Sequence, residues 1–402
     1  MQPSARELTT PRTPPSHDPS MRGRPGMVKR APSEILVLAQ HPQIIAAAME
    51  AAQRVYAMPP CLIRHGMEAL RYLCGPGLPP RRLLVEPAAA GSAWAALLSI
   101  LDDPSLTDTI IIVTADGLGA PTGMAALPAK AAALAAALRA RPPSPHRSLP
   151  TSDKALARGL GRDGLLVRYQ PVVRIADRRP VLVEALARWR GRPMMHAPDL
   201  FVPALERAGL ARVLALAVLS RAARDIGPQA PRMAIGVSVN VALDQLLLPD
   251  LSIWISQALR SGGLAAQDLT LELTETTPVH DRALLARAIR RMEAAGHGVL
   301  LDDLAMDDGR LGLQSLGFAG IKLDKSLVGR LPADGRARRF VRHVVDEANR
   351  RGQVVTAEGV ADARLWAAVA ALGVHRAQGY WVGRALPAAM LGIWQRRWAA
   401  LA

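Results

Sequence analysis

The feature that most constrains this fold is a series of short apolar segments, each ending in polar residues and separated from the next by a helical pattern. About eight such segments follow residue 154, and they read LLVRYQPVV, VLVEAL, IGVSVN, LTLELTE, GVLLDD, GIKLD, QVVTAEGV and AQGYWVG. Eight strands are enough to close a barrel, and near-continuous apolar strands are typical of a parallel sheet covered on both faces. The sequence therefore predicts an α/β fold with a C-terminal (β/α)8 barrel.

The polar strand ends are rich in oxygen ligands. They comprise Glu184, Asn240, Glu272, Asp302, Asp303 and Glu358. A single acid of this kind is most often a helix cap or an ion pair, but several on separate strands cannot all be caps. In such barrels the carboxyl ends of the strands form the active-site face. Converging carboxylates repel one another unless cations neutralise them, and an all-oxygen set selects Mg²⁺ or Mn²⁺.

Two such ions suit displacement at phosphorus, which gives the acids a function. Lys322 lies among them in GIKLD. Two roles for Lys322 stay open: it orients or deprotonates the attacking water, or it forms a salt bridge to Asp302 or Asp303.

Four segments divide the chain. Residues 1–33 are rich in Pro, Ser, Thr and Arg and predict a disordered arm, while residues 34–140 alternate apolar strands and helical patterns and predict a small α/β domain. Residues 141–153, RPPSPHRSLPTSD, predict a linker because prolines and serines prevent regular structure there. The barrel is expected over residues 154–402.

Composition excludes several classes of protein. The net charge of +16 favours acidic or phosphate-bearing ligands, but the charge is scattered over helical patterns and no motif for a nucleic-acid polymer accompanies it. Cys61 and Cys74 support neither a disulfide framework nor a zinc site. No stretch is apolar enough for a membrane span and no signal pattern begins the chain, so a cytoplasmic location is expected.

The second domain resembles the EAL-domain family of cyclic di-GMP phosphodiesterases, whose barrels are TIM-like. The motifs that carry the resemblance are YQPVV at 169–173, EALARW at 184–189, SVN at 238–240, LELTE at 271–275, LLDD at 300–303, IKLDKSLV at 321–328, AEGV at 357–360 and QGYWVGRALP at 378–387. So many motifs in the same order make a chance match implausible.

The resemblance implies a role for each matching residue. Glu184, Asn240, Glu272, Asp302 and Glu358 are expected to ligate two Mg²⁺ or Mn²⁺ ions, with Asp303 bridging them or ligating the second. Lys322 is expected to contact the hydrolytic water, and Glu184, Asp303 and Lys322 form the catalytic set. The residues expected to bind cyclic di-GMP are Gln170, Arg188, Asp324 and Gln378, with Arg188 holding a phosphate through its planar guanidinium. The expected product is linear pGpG.

One motif departs from the family. The DDFGTGYSSL loop of the family reads DDLAMDDGRL in this chain, so the segment Leu304–Arg310 has lost two glycines and gained two acids. In the family this loop supports the metal site and the dimer contact, and the acid that matches Glu275 anchors it. The change leaves two functions open: a phosphodiesterase, or a cyclic di-GMP receptor without turnover. A scaffold that needs no ligand is a third, which the retained acids disfavour. Homodimerisation is expected from the resemblance alone.

The N-terminal α/β domain resembles a degenerate response-regulator receiver. The acid pair of that family falls at Ala39 and Gln40, and its phosphoacceptor Asp falls near Glu86, while Thr114 and Lys130 match its hydroxyl residue and its Lys. The resemblance implies a domain that cannot be phosphorylated and that acts through protein contacts with a partner. A plain α/β dimerisation module is the alternative.

Two weaker motifs have ordinary explanations. GVSVN around Ser238 lacks the final Gly of a nucleophile elbow, and GLGAPTG at 117–123 has Thr122 where a dinucleotide-binding loop needs its third Gly. We expect neither to carry chemistry.

Overall fold

A computed structural model describes residues 34–56, 59–101, 103, 109–115, 126–140, 152–161, 164–190, 195–274, 278–306 and 309–401. The predicted arm, residues 1–33, lies outside the described residues. So does almost all of the predicted linker, residues 141–151.

The N-terminal region is a five-stranded parallel sheet with helices. Its elements are β1 (Ile35–Leu38), α1 (Pro42–Gln53), β2 (Cys61–Ile63), α2 (Gly66–Cys74), β3 (Arg82–Val85), α3 (Pro87–Ala90), α4 (Trp94–Leu101), β4 (Thr109–Thr114), β5 (Ala126–Pro128) and α5 (Ala131–Arg139). The strand order is β2-β1-β3-β4-β5, which is that of flavodoxin-like doubly wound folds. The predicted small α/β domain is therefore present, while its receiver-like character stays a prediction.

The C-terminal region begins with helix α6 and a hairpin. Its first elements are α6 (Asp153–Gly161), β6 (Leu165–Arg174), β7 (Pro180–Trp189), α7 (Pro198–Arg207), α8 (Ala211–Ile226), α9 (Ala230–Met233), β8 (Gly236–Val241), α10 (Leu243–Leu246), α11 (Leu251–Gly262) and β9 (Leu269–Leu273). The remaining elements are α12 (Arg282–Ala294), β10 (Gly298–Leu304), β11 (Gly320–Leu323), α13 (Lys325–Arg330), α14 (Gly335–Arg351), β12 (Val354–Ala357), α15 (Ala363–Ala371), β13 (Arg376–Gln378) and α16 (Leu391–Ala399).

The eight strands β6–β13 close into a barrel in the order β10-β11-β12-β13-β6-β7-β8-β9. This confirms the predicted barrel and assigns each of the eight apolar segments to a strand. Asp side chains at 281, 334 and 362 cap α12, α14 and α15 through backbone N–H groups, which fixes where the helices begin between the strands.

The prediction of a wholly parallel sheet is wrong at one strand. β6 runs antiparallel to both of its neighbours, β13 and β7. β6 and β7 are joined by a short turn around Asp177, whose carboxylate accepts the N–H of Arg179, and a short turn connects only antiparallel strands. Both strands are ten residues long, against three to seven residues for the other strands of the barrel. The hairpin therefore extends beyond the carboxyl ends of the shorter strands.

The N-terminal region packs on the barrel through buried polar contacts as well as apolar ones. The guanidinium of Arg384 donates to the carbonyl oxygens of Leu73 and Gly77, and the N–H of Gly77 donates to Tyr380. One continuous hydrophobic core contains side chains of α2 and α4 together with those of the barrel. In the described part of the chain, no helix has the length and apolarity that a membrane crossing requires.

Candidate active site

The barrel brings one lysine and four carboxylates together at the carboxyl ends of its strands. The Lys322 ammonium lies 2.7 Å from Glu272 Oε2, 2.9 Å from Asp302 Oδ1, 2.5 Å from Glu358 Oε1 and 3.5 Å from Glu184 Oε2. These residues come from β7, β9, β10 and β11 and from the residue that follows β12. The Lys322 side chain is only 2% exposed. The convergence that the strand ends predicted is present, and we call these five residues the acid cluster.

Three amides surround Glu184 in the acid cluster. Asn240 Nδ2 donates to Glu184 Oε1 at 3.1 Å, and Gln378 Nε2 donates to Glu184 Oε2 at 2.6 Å. The same Gln378 nitrogen lies 3.2 Å from Gln170 Oε1. Gln170 is also the cross-strand partner of Glu184 in the hairpin, so their side chains share one face of the sheet. The structure therefore places Asn240, Gln170 and Gln378 beside the acid cluster.

Asp303 adds a further carboxylate with an unusual backbone. Oxygen atoms of Asp302, Asp303 and Glu358 lie within 4.8 Å of one another. Asp303 has a φ of 51°, which places it in the left-handed region that costs a residue with a side chain about 1–3 kcal/mol. Arg310 Nη1 donates to the carbonyl of Asp302 at 3.0 Å, and Arg310 Nη2 donates to that of Asp303 at 2.8 Å.

Two glycines allow the backbone to approach closely beside the site. Gly359 follows Glu358 with a φ of 65°, and a Cβ there would lie 2.5 Å from the Lys325 side chain. Gly379 follows Gln378 with a φ of 144°, and a Cβ there would lie 2.3 Å from the backbone of Val360. Each glycine therefore fixes the residue before it at the mouth of the barrel.

Burial and mutual charge perturb the acid cluster. Burial and the negative charge of Glu184 raise the pKa of Glu272 well above its usual range, and burial raises the pKa of Glu358 to about 8. Burial also raises the pKa of Asp302. For Glu184, burial is outweighed by the Lys322 ammonium and the two amide donors, so its pKa is lowered. Burial lowers the pKa of Lys322, but the four carboxylates raise it by more. Its pKa therefore lies well above its usual range.

The acid cluster fits divalent cations. Four carboxylates around one ammonium leave three negative charges in excess when all are ionised. Glu272 Oε1 is buried and accepts no hydrogen bond from any described residue. A hard cation supplies both the missing charge and the missing partner, because Mg²⁺ and Mn²⁺ prefer carboxylate and amide oxygens. The residues that would hold such ions are Glu184, Asn240, Glu272, Asp302, Asp303 and Glu358.

A cavity of about 500 Å³ opens onto the acid cluster. Glu184, Asp302, Asp303, Lys322 and Glu358 line its floor, and apolar side chains of α7 and α8 line one wall. Its volume lies in the range of small-molecule sites.

Two predicted site residues make other contacts, and a third lies outside the described residues. The Asp324 carboxylate accepts the N–H of Ser326 and so caps α13. Arg188 does not line the cavity; its Nε lies 3.0 Å from Asp103 Oδ2 in the N-terminal region. Glu275 lies outside the described residues. The substrate-binding roles of Asp324 and Arg188 stay predictions.

Sequence reasoning missed Asp103, Arg168 and Arg310. Arg168 Nη2 donates to the carbonyl of Ser99 at 2.7 Å, and its Nε lies 3.6 Å from Asp103 Oδ2. A charged residue inside an apolar strand, as in LLVRYQPVV, is the signal that could have found Arg168. No sequence pattern marks Asp103, because its contact depends on how the N-terminal region packs against the hairpin.

Fold and site together define a (β/α)8-barrel protein with an oxygen-ligand cluster at the mouth of the barrel. The sequence model of the EAL domain family matches residues 153–385, which is more than half of the chain. The chain belongs to the EAL domain family.

Relatives agree with this assignment over the same region. The chain is 33% identical over 241 residues to an uncharacterized signaling protein of Caulobacter vibrioides, which is 60% of this chain and 30% of that protein. It is 30% identical over 243 residues to the cyclic di-GMP phosphodiesterase NbdA of Pseudomonas aeruginosa, which is 60% of this chain and 31% of that protein. The matched region thus spans about a third of the length of these two curated relatives.

A solved structure also matches the barrel. The PaMucR phosphodiesterase in complex with c-di-GMP superposes with a TM-score of 0.55 at 26% identity, covering 59% of this chain and 98% of that one.

Proposed function

We propose that the barrel hydrolyses cyclic di-GMP to linear pGpG with two divalent ions, Mg²⁺ or Mn²⁺. The observation that carries this proposal is the convergence of the acid cluster on one buried lysine at the floor of an open cavity. Membership of the EAL domain family and the similarity to two cyclic di-GMP phosphodiesterases support it.

Glu184, Asn240, Glu272, Asp302, Asp303 and Glu358 would hold the ions. Bound divalent ions lower the pKa of water and stabilise charge that develops on phosphate oxygens. Lys322 keeps its proton because four carboxylates surround it, so it would orient the attacking water as a hydrogen-bond donor and would not deprotonate it. The attacking water gives up a proton to solvent as its oxygen bonds to phosphorus, one P–O3′ bond breaks, and the departing O3′ takes up a proton from solvent.

Substrate contacts come from the amide side of the site. Gln170 and Gln378 lie beside Glu184, and the Gln378 side-chain amide donates to both Glu184 and Gln170. Reaction in the cytoplasm, where the nucleotide would be made and consumed, is part of the proposal.

A receptor without turnover is the second candidate. One observation favours it: the segment Leu304–Arg310 departs from the family loop. In this alternative the barrel binds cyclic di-GMP and passes the signal to a partner.

One assay separates the two candidates. The full chain is incubated with cyclic di-GMP and Mn²⁺ or Mg²⁺, and both pGpG formation and bound nucleotide are measured. We expect pGpG to form and a chelator to abolish its formation. Glu184→Gln should slow pGpG formation by at least about a hundredfold, since one ligand of the two metal ions is lost. The matched control is Glu293→Gln, on α12 away from the acid cluster. Binding without product in the unsubstituted chain would establish the receptor instead.

A further inference from the structure

The altered loop contains a residue that touches the backbone of the metal-ligand pair. Arg310 lies in the segment that replaces the family's DDFGTGYSSL pattern, at the position of the second Ser. One guanidinium nitrogen donates to the carbonyl of Asp302 and the other to that of Asp303. A planar fork therefore bridges two successive peptide units at the end of β10.

These two hydrogen bonds act where the backbone needs support. Asp303 is one of three non-glycine residues with positive φ in the described chain, and its carboxylate must turn toward Asp302 and Glu358 to share a cation. Because Arg310 binds the carbonyls of the two peptide units that flank Asp303, it holds the Asp303 backbone in the conformation that places its carboxylate near those of Asp302 and Glu358.

We propose that Arg310 is a positioning residue for the metal site and that it replaces the support given by the lost glycines and hydroxyl residues of the loop. The proposal rests on the metal site of the proposed function. Arg310 binds neither ion nor substrate, so its effect is on cation affinity.

Metal binding without substrate tests this role. Mn²⁺ affinity is measured by calorimetry for the unsubstituted chain, Arg310→Ala, Arg310→Lys and the control Arg330→Ala, whose guanidinium pairs with Asp334 on the surface. We expect Arg310→Ala to weaken Mn²⁺ binding by about 10–100-fold, the range for groups that orient metal ligands. The Mn²⁺ affinity of Arg310→Lys, which can reach only one carbonyl, should lie between those of the unsubstituted chain and Arg310→Ala. Excess Mn²⁺ should restore kcat in both variants.

The outcomes are distinct. Equal Mn²⁺ affinity in Arg310→Ala and the unsubstituted chain would overturn the inference alone. A loss of kcat that excess Mn²⁺ does not restore would also overturn it. Absence of Mn²⁺ binding in the unsubstituted chain would overturn the proposed function and the inference together.

A different observation concerns the N-terminal region. Asp103 follows α4, is 0% exposed, and lies with Oδ2 3.0 Å from Arg188 Nε and 3.6 Å from Arg168 Nε. Arg168 also donates to the carbonyl of Ser99 in α4. Both arginine side chains are only 7% exposed. We call Arg168 and Arg188 the arginine pair.

The arginine pair lies on the same face of the hairpin as the acid cluster. Glu184 and Arg188 are four residues apart in β7, so their side chains point to the same side of the sheet. Arg168 is opposite Leu186, which lies between them on that side. Two guanidiniums converge on the one carboxylate of Asp103, so the same place is suited to an anionic phosphate when Asp103 is elsewhere.

The contact is part of a wider interface with the mouth of the barrel. Arg384, six residues after Gln378, donates hydrogen bonds to two carbonyl oxygens. One belongs to Leu73 near the end of α2, and the other to Gly77, just after that helix. A phosphate cannot reach the buried Arg188 while the Asp103 carboxylate contacts its Nε. Packing of the N-terminal region on the hairpin and binding of a phosphate by Arg188 therefore exclude each other.

We infer that Asp103 stands in for a phosphate of the nucleotide and that the N-terminal region inhibits ligand binding through this carboxylate. The inference rests on cyclic di-GMP as the ligand of the proposed function. It predicts that weakening the Asp103 contact makes binding tighter, because a smaller part of the binding energy is spent on displacing the N-terminal region.

Replacing the carboxylate by an amide tests the inference. Cyclic di-GMP binding is measured with a chelator present, so that turnover does not interfere, for the unsubstituted chain and Asp103→Asn. We expect a Kd lower by about tenfold, as removal of a competing closed state gives, and a lower KM with unchanged kcat. The control is Asp177→Asn, whose carboxylate also lies between two arginines, Arg174 and Arg179, but is exposed in the turn of the same hairpin.

A second measurement needs no substitution. Hydrogen exchange of the α2 and α4 amides is followed in the unsubstituted chain with and without cyclic di-GMP, and faster exchange on ligand addition is expected. Unchanged or weaker binding by Asp103→Asn, or slower exchange in these helices with ligand, would overturn the inference while leaving the proposed function standing. If neither protein binds the nucleotide, the proposed function and the inference both fail.

Discussion

The acid cluster and the arginine pair are opposite arrangements that share strand β7. In the first, one lysine is surrounded by four carboxylates, and in the second, one carboxylate lies between two arginines. Both are buried. The difference teaches how each can be completed: the acid cluster fits added cations, and the arginine pair has an anion supplied by another part of the chain.

The two arrangements should also differ in what one basic residue of each contributes to stability. Breaking a buried ion pair by removing one partner leaves an uncompensated charge, which is more costly than the pair itself is stabilising. Removing Lys322 takes away the ammonium that four carboxylates share, whereas removing Arg168 leaves Asp103 in contact with Arg188. Three measurements test this comparison, beginning with the largest expected effect.

The largest effect is expected from Lys322→Met. In the presence of a chelator, we expect a loss of about 3–5 kcal/mol in the free energy of unfolding, because the four carboxylates lose their only buried cation. Mn²⁺ should recover a large part of this loss. Urea unfolding with chelator and with Mn²⁺ measures both, and Lys154→Met, on the exposed face of α6, is the control. An equal loss in the two conditions would show that Lys322 acts by packing and not by charge.

A smaller effect is expected from Arg168→Met. The substitution removes a charged hydrogen bond to the carbonyl of Ser99 but leaves Asp103 with Arg188, so we expect a loss of about 1–2 kcal/mol. Urea unfolding measures it against Arg174→Met, an exposed arginine of the same strand. A loss as large as that of Lys322→Met would contradict the contrast between the two arrangements.

The smallest effect concerns pH. Burial raises the pKa of Glu358 to about 8, so this carboxyl is mostly protonated at pH 7 and must lose its proton to bind a cation. Mn²⁺ affinity should therefore rise by about tenfold from pH 6.5 to 7.5, which is about 1.4 kcal/mol, and level off above pH 8. Calorimetry over this range measures it, and in Glu358→Gln the slope should be smaller, while the raised pKa values of Glu272 and Asp302 keep part of it. Affinity that is constant over the range would show that Glu358 is not a ligand.

The sequence predicted much of the barrel and little of its regulation. Each polar strand end marks the point where an apolar strand leaves the core, so Glu184, Glu272 and Asp302 could be placed at one mouth from local pattern alone. The reversed direction of β6 depends on a short turn, which the apolar pattern does not report. Arg310 could not be predicted, because its role follows from a backbone conformation at Asp303 that no residue type signals.

Contacts between the two regions were beyond reach for another reason. Asp103 and Arg188 are separated by 85 positions, and their meeting depends on the packing of α2 and α4 against the hairpin. Periodicity predicts which face of an element is buried, but not which partner covers it.

The long hairpin has a mechanical consequence. Glu184 and Arg188 are about 13 Å apart along β7, at the strand's rise of about 3.3 Å per residue, and continuous backbone pairing with β6 connects them. A stiff two-stranded ribbon of this kind moves as a rigid body and does not bend at one point. A displacement at Arg188, where Asp103 contacts the hairpin, is transmitted along the paired strands to Glu184 of the acid cluster, with no loop in between to absorb it.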